Sequence, residues 1–306
     1  MINDKAVTKP KKKKQFKSDF LFALPYGVVF FVFVILLIFI SIALSFTYYD
    51  TINVPRWVGF DNYVTLFTRD SEFMQYALPN TLKYGLIVGP CGYLLSFFMA
   101  WLLAQVTKPV RTALAVILYS PSLTSGVMMA VVWKVLFSGD SRGYLNALLI
   151  NWGLISAPIQ FLQTPGWIFG IMIFVGLWSS MSVGFLAMLS GILNINKELY
   201  EAAYIDGMKS KWQEIFYITI PSMKPQMLFG AVTAITGTFN ASGMATTLSG
   251  STPSPQYAGW LITDHMNDYG FGRYEMGYAS AISVVLLLIV MLFYFVAKTL
   301  FTEKEQ

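Results

Sequence analysis

Three groupings of residues in this 306-residue chain have the types and spacing to do chemistry. The first is "ELYEAAYIDGMKSKWQEIFYITIP", Glu198–Pro221, where acids and lysines interrupt apolar sequence. The second is His265, the only histidine, with Asp264 and Asp268 in "TDHMNDYGFGRYE". One histidine and two short-spaced acids can be drawn as a metal site, yet such a grouping is usually a solvated loop, and no metal is expected. The third grouping is polar and aromatic residues set inside apolar runs. Tyr119, Ser120, Ser122 and Thr124 surround Pro121; Trp178, Ser179 and Ser182 follow; then come Thr236, Thr238, Asn240 and Ser242. Sugar sites pair an aromatic face with polar groups that match hydroxyls. Small hydroxyl residues are also ordinary material for packing helices in membranes. Asn240 and Trp178 stand out, because an amide is costly to leave unpaired in lipid and an indole face suits a pyranose ring.

Catalysis lacks a constellation. Cys91 lies alone in an apolar run, and no paired acids sit within the apolar segments. A G-x-x-x-x-G-K-[ST] phosphate loop is absent, so this chain is expected to bind no ATP and no cofactor of its own.

The elements that would position these groups are membrane helices. Hydrophobic residues make up 56% of the chain and charged residues 12%, against roughly 25% charged in soluble domains. Six apolar runs are long enough to span: about Phe20–Phe46, Pro79–Gln105, Thr112–Phe137, Trp167–Leu193, Pro225–Leu248 and Met276–Ala297. A seventh, Tyr144–Leu162, is broken by Gly153 and Pro158, and its helical part, Tyr144 to about Ile155, reads as an interfacial helix. With six spans and the N-terminus inside, fifteen of the 21 basic residues face the cytoplasm. Seven of them are lysines before Ser18, a tail suited to anionic lipid and not to nucleic acid. The fold class is thus an all-α integral membrane protein, with both termini cytoplasmic. Residues 1–19 form a basic tail, 20–300 the six-helix domain and 301–306 a second tail. Lys83 and Lys134 read as snorkelling side chains near one membrane face. Outside, Asp61 or Asn62 can cap a short amphipathic helix carrying Tyr63, Leu66 and Phe67.

This topology puts residues 194–224 in the cytoplasm. Asn196 is placed to cap a first helix, and Gly207 to end it in a left-handed turn. Ser210 and Gln213 have capping-box spacing for a second helix. On that helix Trp212, Ile215, Phe216 and Thr219 form a stripe expected to pack on the bundle, and Pro221 ends it.

The run "EAAYIDGMKSKWQEIFYITIP" resembles the EAA motif of binding-protein-dependent ABC importer permeases. Glu201, Ala202, Ala203, Asp206, Gly207, Phe216, Ile218 and Pro221 fall at motif positions, and Met208 replaces the usual alanine. "WVGFDNYVTLF", "GYLNALLINWGLI", "GFLAMLSGILNINKELYEAA" and "RYEMGYASAISVVLLLIV" resemble the sugar branch that contains maltose and glycerol-phosphate permeases. Ending in "FTEKEQ", the chain looks like the first-permease type without its large inserted periplasmic domain. The resemblance implies a heterodimer with a second permease in a bacterial plasma membrane. Two cytoplasmic ATPases would use ATP and Mg, and an external solute-binding protein would deliver a di- or oligosaccharide. Glu201, Ala202, Ala203, Asp206, Gly207, Phe216 and Pro221 would then couple to the ATPase. Asn240, Trp178, Ser182, Tyr119 and Thr236 are the candidates for substrate, and Trp260, Asp264 and His265 for the binding protein. No acid or base lies at mid-depth in a span, which favours a neutral cargo over a cationic or phosphorylated one, a polyol or glycerol phosphate remaining the alternative. A lone ion-coupled carrier is the other reading, and it would need ionisable residues inside the spans.

Overall fold

Apolar sequence of sufficient length makes helices, because a backbone in lipid must satisfy its own polar groups. The computed structural model describes residues 23–124 and 126–301. The tail 1–19 lies outside them, as does the tail 301–306 except for Phe301. Four helices are long and apolar enough to cross a membrane: Ala23–Leu44, Phe73–Ala104, Pro165–Leu193 and Met276–Thr299. We number the elements α1 (Ala23–Leu44), α2 (Asp61–Thr68), α3 (Phe73–Ala104), α4 (Lys108–Leu123), α5 (Gly126–Leu136) and α6 (Tyr144–Asn151). The Pro165–Leu193 run divides into α7 (Pro165–Trp178) and α8 (Val183–Leu193), interrupted at residues 179–182. After them come α9 (Lys197–Ile205), α10 (residues 211–222), α11 (Lys224–Phe239), α12 (Met244–Ser249), α13 (Ile262–Asn267) and α14 (Met276–Phe301).

The third and fifth expected spans are therefore each two shorter helices, α4–α5 and α11–α12. Thr124 is extended where α4 stops. Gly243 takes φ +71° before α12. The apolar run at Tyr144 gives an eight-residue helix, too short to span and shorter than the sequence predicts. Asn146 organises the loop around it: its amide donates to the Ser138 and Ile159 carbonyls and accepts from the Ile159 N–H, all at 3.0 Å.

Helix α3 is the hub, packed against α7, α8 and α11. Close approach explains the small residues there. A Cβ on Gly92 would fall 2.7 Å from Cβ of Ser180, and one on Gly184 would fall 2.6 Å from Thr233 Oγ1 and 3.1 Å from Gly230 Cα. Between α1 and α3, β1 (Thr47–Tyr48) pairs antiparallel with β2 (Arg56–Trp57), and α2 forms where the sequence places it. Its capping differs from expectation. Asn62 donates to the carbonyls of Ser45 (2.8 Å) and Thr47 (2.9 Å), holding α2 to the end of α1 instead of closing its own turn.

A buried polar cluster fastens the start of α3 to α13 and α14. Asp70 Oδ2 meets His265 Nε2 at 2.8 Å and accepts the Tyr278 hydroxyl at 2.7 Å, while Oδ1 accepts the Phe73 N–H at 2.9 Å. The Trp260 indole donates to His265 Nδ1 at 3.4 Å, which leaves the ring proton on Nε2 toward Asp70. Burial pushes the Asp70 carboxyl up, but its bonds to His265, Phe73 and Tyr278 outweigh that and hold it below the usual carboxylate value. Asp70→Ala leaves three buried donors without an acceptor. It should cost about 2–3 kcal/mol, read as a lower thermal unfolding midpoint of the purified protein, with Asp70→Asn milder. Because the folded value is depressed, this stabilisation is complete above the ordinary value of 3.8 and is lost as pH falls below it. Unfolding midpoints of wild type and Asp70→Ala should converge in that acidic range and differ at pH 7.

Candidate functional site

The unit of α9 and α10 folds locally as its sequence dictates. The Asn196 side chain accepts from the Glu198 N–H at 3.1 Å and opens α9. At the other end Gly207 adopts φ +98°. The Gly207 N–H then reaches the Tyr204 carbonyl (3.2 Å), and the Met208 N–H reaches the Ala203 carbonyl (3.0 Å). These two bonds close a complete Schellman turn. Met208 contributes its main chain to that closure, so a bulkier side chain there leaves the turn intact. Ser210 and Gln213 form the capping box: Gln213 Oε1 accepts from the Ser210 N–H (3.2 Å), and Ser210 Oγ from the Trp212 N–H (3.3 Å).

The face that α10 buries is not the expected aromatic stripe. Ile215 and Thr219 point inward, but Trp212 and Phe216 are 64% and 61% exposed, and Tyr217 is exposed beside them. A wide turn over Ile215–Thr219 inserts into the helix, and the third inward residue is Glu214. Glu214 Oε2 accepts the Tyr204 hydroxyl at 2.9 Å and the Lys211 ammonium at 2.6 Å. The Tyr200 hydroxyl meets Thr219 Oγ1 at 3.1 Å. Both tyrosines come from α9, so a polar clamp joins the two short helices. The bond to Glu214, reinforced by Tyr204, holds the Lys211 ammonium above its usual value. With the clamp inside, Glu201, Ala202, Asp206, Gly207, Phe216 and Pro221 lie exposed on the outer surface, Ala203 half-buried among them. Glu214 was missed by sequence reasoning; its only local signal is the i, i+3 pairing with Lys211.

A cavity of 240 Å³ lies where the interrupted helices meet α3. Ser179, Ser180 and Ser182 reach it from the α7–α8 break, and Thr233 and Thr238 from α11. Tyr84, Val88 and Gly92 line it from one face of α3, with Tyr93 beside them. No charged residue lines it. Of the candidate substrate residues, Ser182 alone is brought here. Asn240 and Thr236 are exposed, and Thr236 donates to the Val232 carbonyl in its own helix at 2.8 Å. Trp178 is half-exposed and stands edge-on to Trp133 at 6.3 Å, while Tyr119 is half-buried on α4. The α3 residues escaped sequence reasoning. The small-residue face Gly85, Gly89 and Gly92 beside the tyrosines was the available signal.

Trp260, Asp264 and His265 are all buried, which corrects the expectation of a solvated loop that would touch a partner directly. Among the described residues no cluster of His, Cys, Asp and Glu has a metal-binding arrangement. The three residues are internal fasteners. Asp264 accepts the Gly243 N–H (2.5 Å) and the Leu261 N–H (3.0 Å), and the Thr263 hydroxyl donates to the Ala241 carbonyl. Burial pushes the Asp264 carboxyl up against those two bonds. Helix α13 is thereby tied to the α11–α12 break that borders the cavity.

A family described as "binding-protein-dependent transport system inner membrane component" matches residues 92–302. The chain is 32% identical over 286 residues to the probable ABC transporter permease protein YesP of Bacillus subtilis (strain 168), covering 92% of this chain and 90% of that one. It is 27% identical to the arabinooligosaccharides transport system permease protein AraP of the same organism, covering 90% and 85%. Among solved structures, a bacterial alginate ABC transporter in complex with an alginate pentasaccharide-bound periplasmic protein superposes with TM-score 0.76 at 24% identity, covering 94% of this chain and 95% of that one.

The clamp is open to direct measurement. Glu214→Ala should raise amide hydrogen exchange across residues 197–222, with a local stability loss of about 2 kcal/mol. Gly207→Ala forces an L side chain into left-handed backbone and should cost roughly 1–2 kcal/mol, seen as faster exchange at the same amides. Unchanged exchange in Glu214→Ala would remove the clamp from the account.

Proposed function

The chain belongs to the binding-protein-dependent transport system inner membrane components, and we propose that it is the permease subunit of an ATP-driven importer of a neutral di- or oligosaccharide. The observation that carries this reading is the cytoplasmic unit, where two capped helices clamped at Glu214 present Glu201, Ala202, Asp206 and Phe216 outward. Similarity to AraP and to the alginate transporter with its periplasmic protein supports a sugar cargo and a solute-binding partner.

In this reading the chain makes six crossings, with α4–α5 and α11–α12 each counted as one, and both termini are cytoplasmic. It pairs with a second permease in the bacterial plasma membrane. Two cytoplasmic ATPases bind ATP and Mg, and this chain binds neither. Each ATPase receives an EAA helix in a cleft, and closure of the ATPase pair moves the helices together. A rigid unit converts that closure into rocking of the bundle. Glu201 supplies the polar contact in the cleft, and Gly207 sets the angle between the helices.

Substrate passes the cavity of Ser179, Ser182, Thr238, Tyr84 and Tyr93. Its 240 Å³ is small for an oligosaccharide, so the second permease completes the passage, with Asn240, Thr236 and Trp178 on the surface that faces it. The absence of charge in the lining supports a neutral sugar over glycerol phosphate or an acidic polymer. Docking of the binding protein on the outer loops reaches the cavity through Asp264 and Gly243, not through direct contact with Trp260, Asp264 or His265.

Reconstitution tests both the activity and its coupling. With the second permease, the ATPase and the binding protein in liposomes, uptake should require internal ATP. Glu201→Ala should lower it by about tenfold or more, the loss expected for one charge-assisted contact. ATP-independent uptake by the chain alone, driven by an ion gradient, would overturn the proposal in favour of a secondary carrier.

A further inference from the structure

A second cavity, of 470 Å³, lies between the α9–α10 unit and the adjoining ends of α3, α4 and α8. Its wall includes Trp101, Arg111, Lys197, Tyr200, Lys211 and Glu214. Three of these are cations and one is an acid, and the acid is already engaged by Tyr204 and Lys211. Hydrogen-bond donors are in surplus. Arg111 spends Nε and Nη2 on the carbonyls of Leu103, Ala104 and Val106, capping the end of α3, and keeps both Nη1 hydrogens. Lys197 is exposed and makes no ion pair with another described residue. The Trp101 indole N–H is buried with no acceptor, and a buried donor without a partner is uncommon in folded proteins.

We propose that this cavity binds a phosphate group, and that the bound phosphate ties the coupling unit to the bundle. Phosphate offers several acceptor oxygens and matches a guanidinium flanked by ammonium groups. The donors come from two bodies. Arg111 and Trp101 belong to the bundle, and Lys197 and Lys211 to the unit that meets the ATPase. One anion bridging them restrains the motion between the two. Two sources carry this chemistry. The cavity sits where apolar helices give way to polar loop, at the depth of anionic lipid headgroups. It is also reachable from the cytoplasm by a soluble phosphate ester. The cytoplasmic placement rests on the topology proposed above; the binding itself does not.

The test uses the assembled complex in nanodiscs of a neutral, phosphate-free galactolipid, with or without phosphatidylglycerol, and without nucleotide. Inorganic phosphate and glucose 6-phosphate are titrated into the first set. A phosphate source is expected to raise the unfolding midpoint and slow amide exchange across residues 197–222. Lys197→Ala should weaken the apparent affinity by about tenfold and Lys197→Arg should retain it. Trp101→Phe, which keeps the charge and removes the orphan donor, should also weaken it. A response to phosphatidylglycerol alone assigns the headgroup, and a response to the soluble anions alone assigns the ester; either supports the proposal. No response to any source, or a response undiminished in Lys197→Ala, overturns it. ATP-driven uptake by the same purified complex in liposomes separates this failure from a failure of the transport reading.

Discussion

A backbone in lipid has no water to satisfy its N–H and C=O groups, and that constraint governs the whole molecule. Irregular backbone is tolerated at membrane depth only where protein covers it or a cavity wets it. The chain interrupts itself at residues 179–182 and again at 240–243. Both interruptions border the same 240 Å³ cavity, which is lined by hydroxyls. The serines and threonines there serve two ends at once. Ser180 donates to the Leu177 carbonyl at 2.7 Å, repairing the broken helix, and still faces the cavity. A polar passage and a broken helix are thus one solution to one problem.

The two ends of the bundle are fastened by the same physical device, a buried carboxylate shared among donors from different elements. At one end, Asp70 collects His265, Tyr278 and the Phe73 amide. At the other, Glu214 collects Tyr204 and Lys211. A carboxylate accepts several hydrogen bonds and is expensive to leave unpaired, so each cluster has one low-energy arrangement. Elements joined this way move as units. Asp264 extends the Asp70 unit to Gly243, and so to the cavity. The geometry therefore offers a continuous connection from the Asp70 cluster to the hydroxyl-lined space.

Local chemistry was legible in the sequence; partners distant along the chain were not. The Asn196 cap, the Gly207 exit and the Ser210–Gln213 capping box each depend on residues within four positions, and all formed as their types require. The apolar runs marked the helices for the same reason. The inward face of α10 was not legible. A wide turn shifts its register, and Glu214 turns inward to meet Tyr204, ten residues earlier. His265 resembled a solvated loop histidine because the partner that buries it, Asp70, stands 195 residues away. Polar residues in the fourth and fifth spans were visible as a pattern, but which of them face the cavity depends on breaks that periodicity cannot foresee. That is why Ser182 belongs to the lining while Asn240 and Thr236 do not.

Exposure means different things for different residues in such a chain. α1 presents Phe31, Phe33 and Phe39 outward with little protein against it, and in lipid this costs nothing. Exposed apolar helix faces are therefore silent about partners. Exposed polar groups are not, since an amide at membrane depth needs a partner or water. Asn240 and Thr236 are exposed beside the α11–α12 break, and Trp178 beside the α7–α8 break. The Asn240 amide, and not the apolar flank of α1, is what calls for a second protein surface or water. The cavity lined by α3, α11 and the α7–α8 break borders both interruptions.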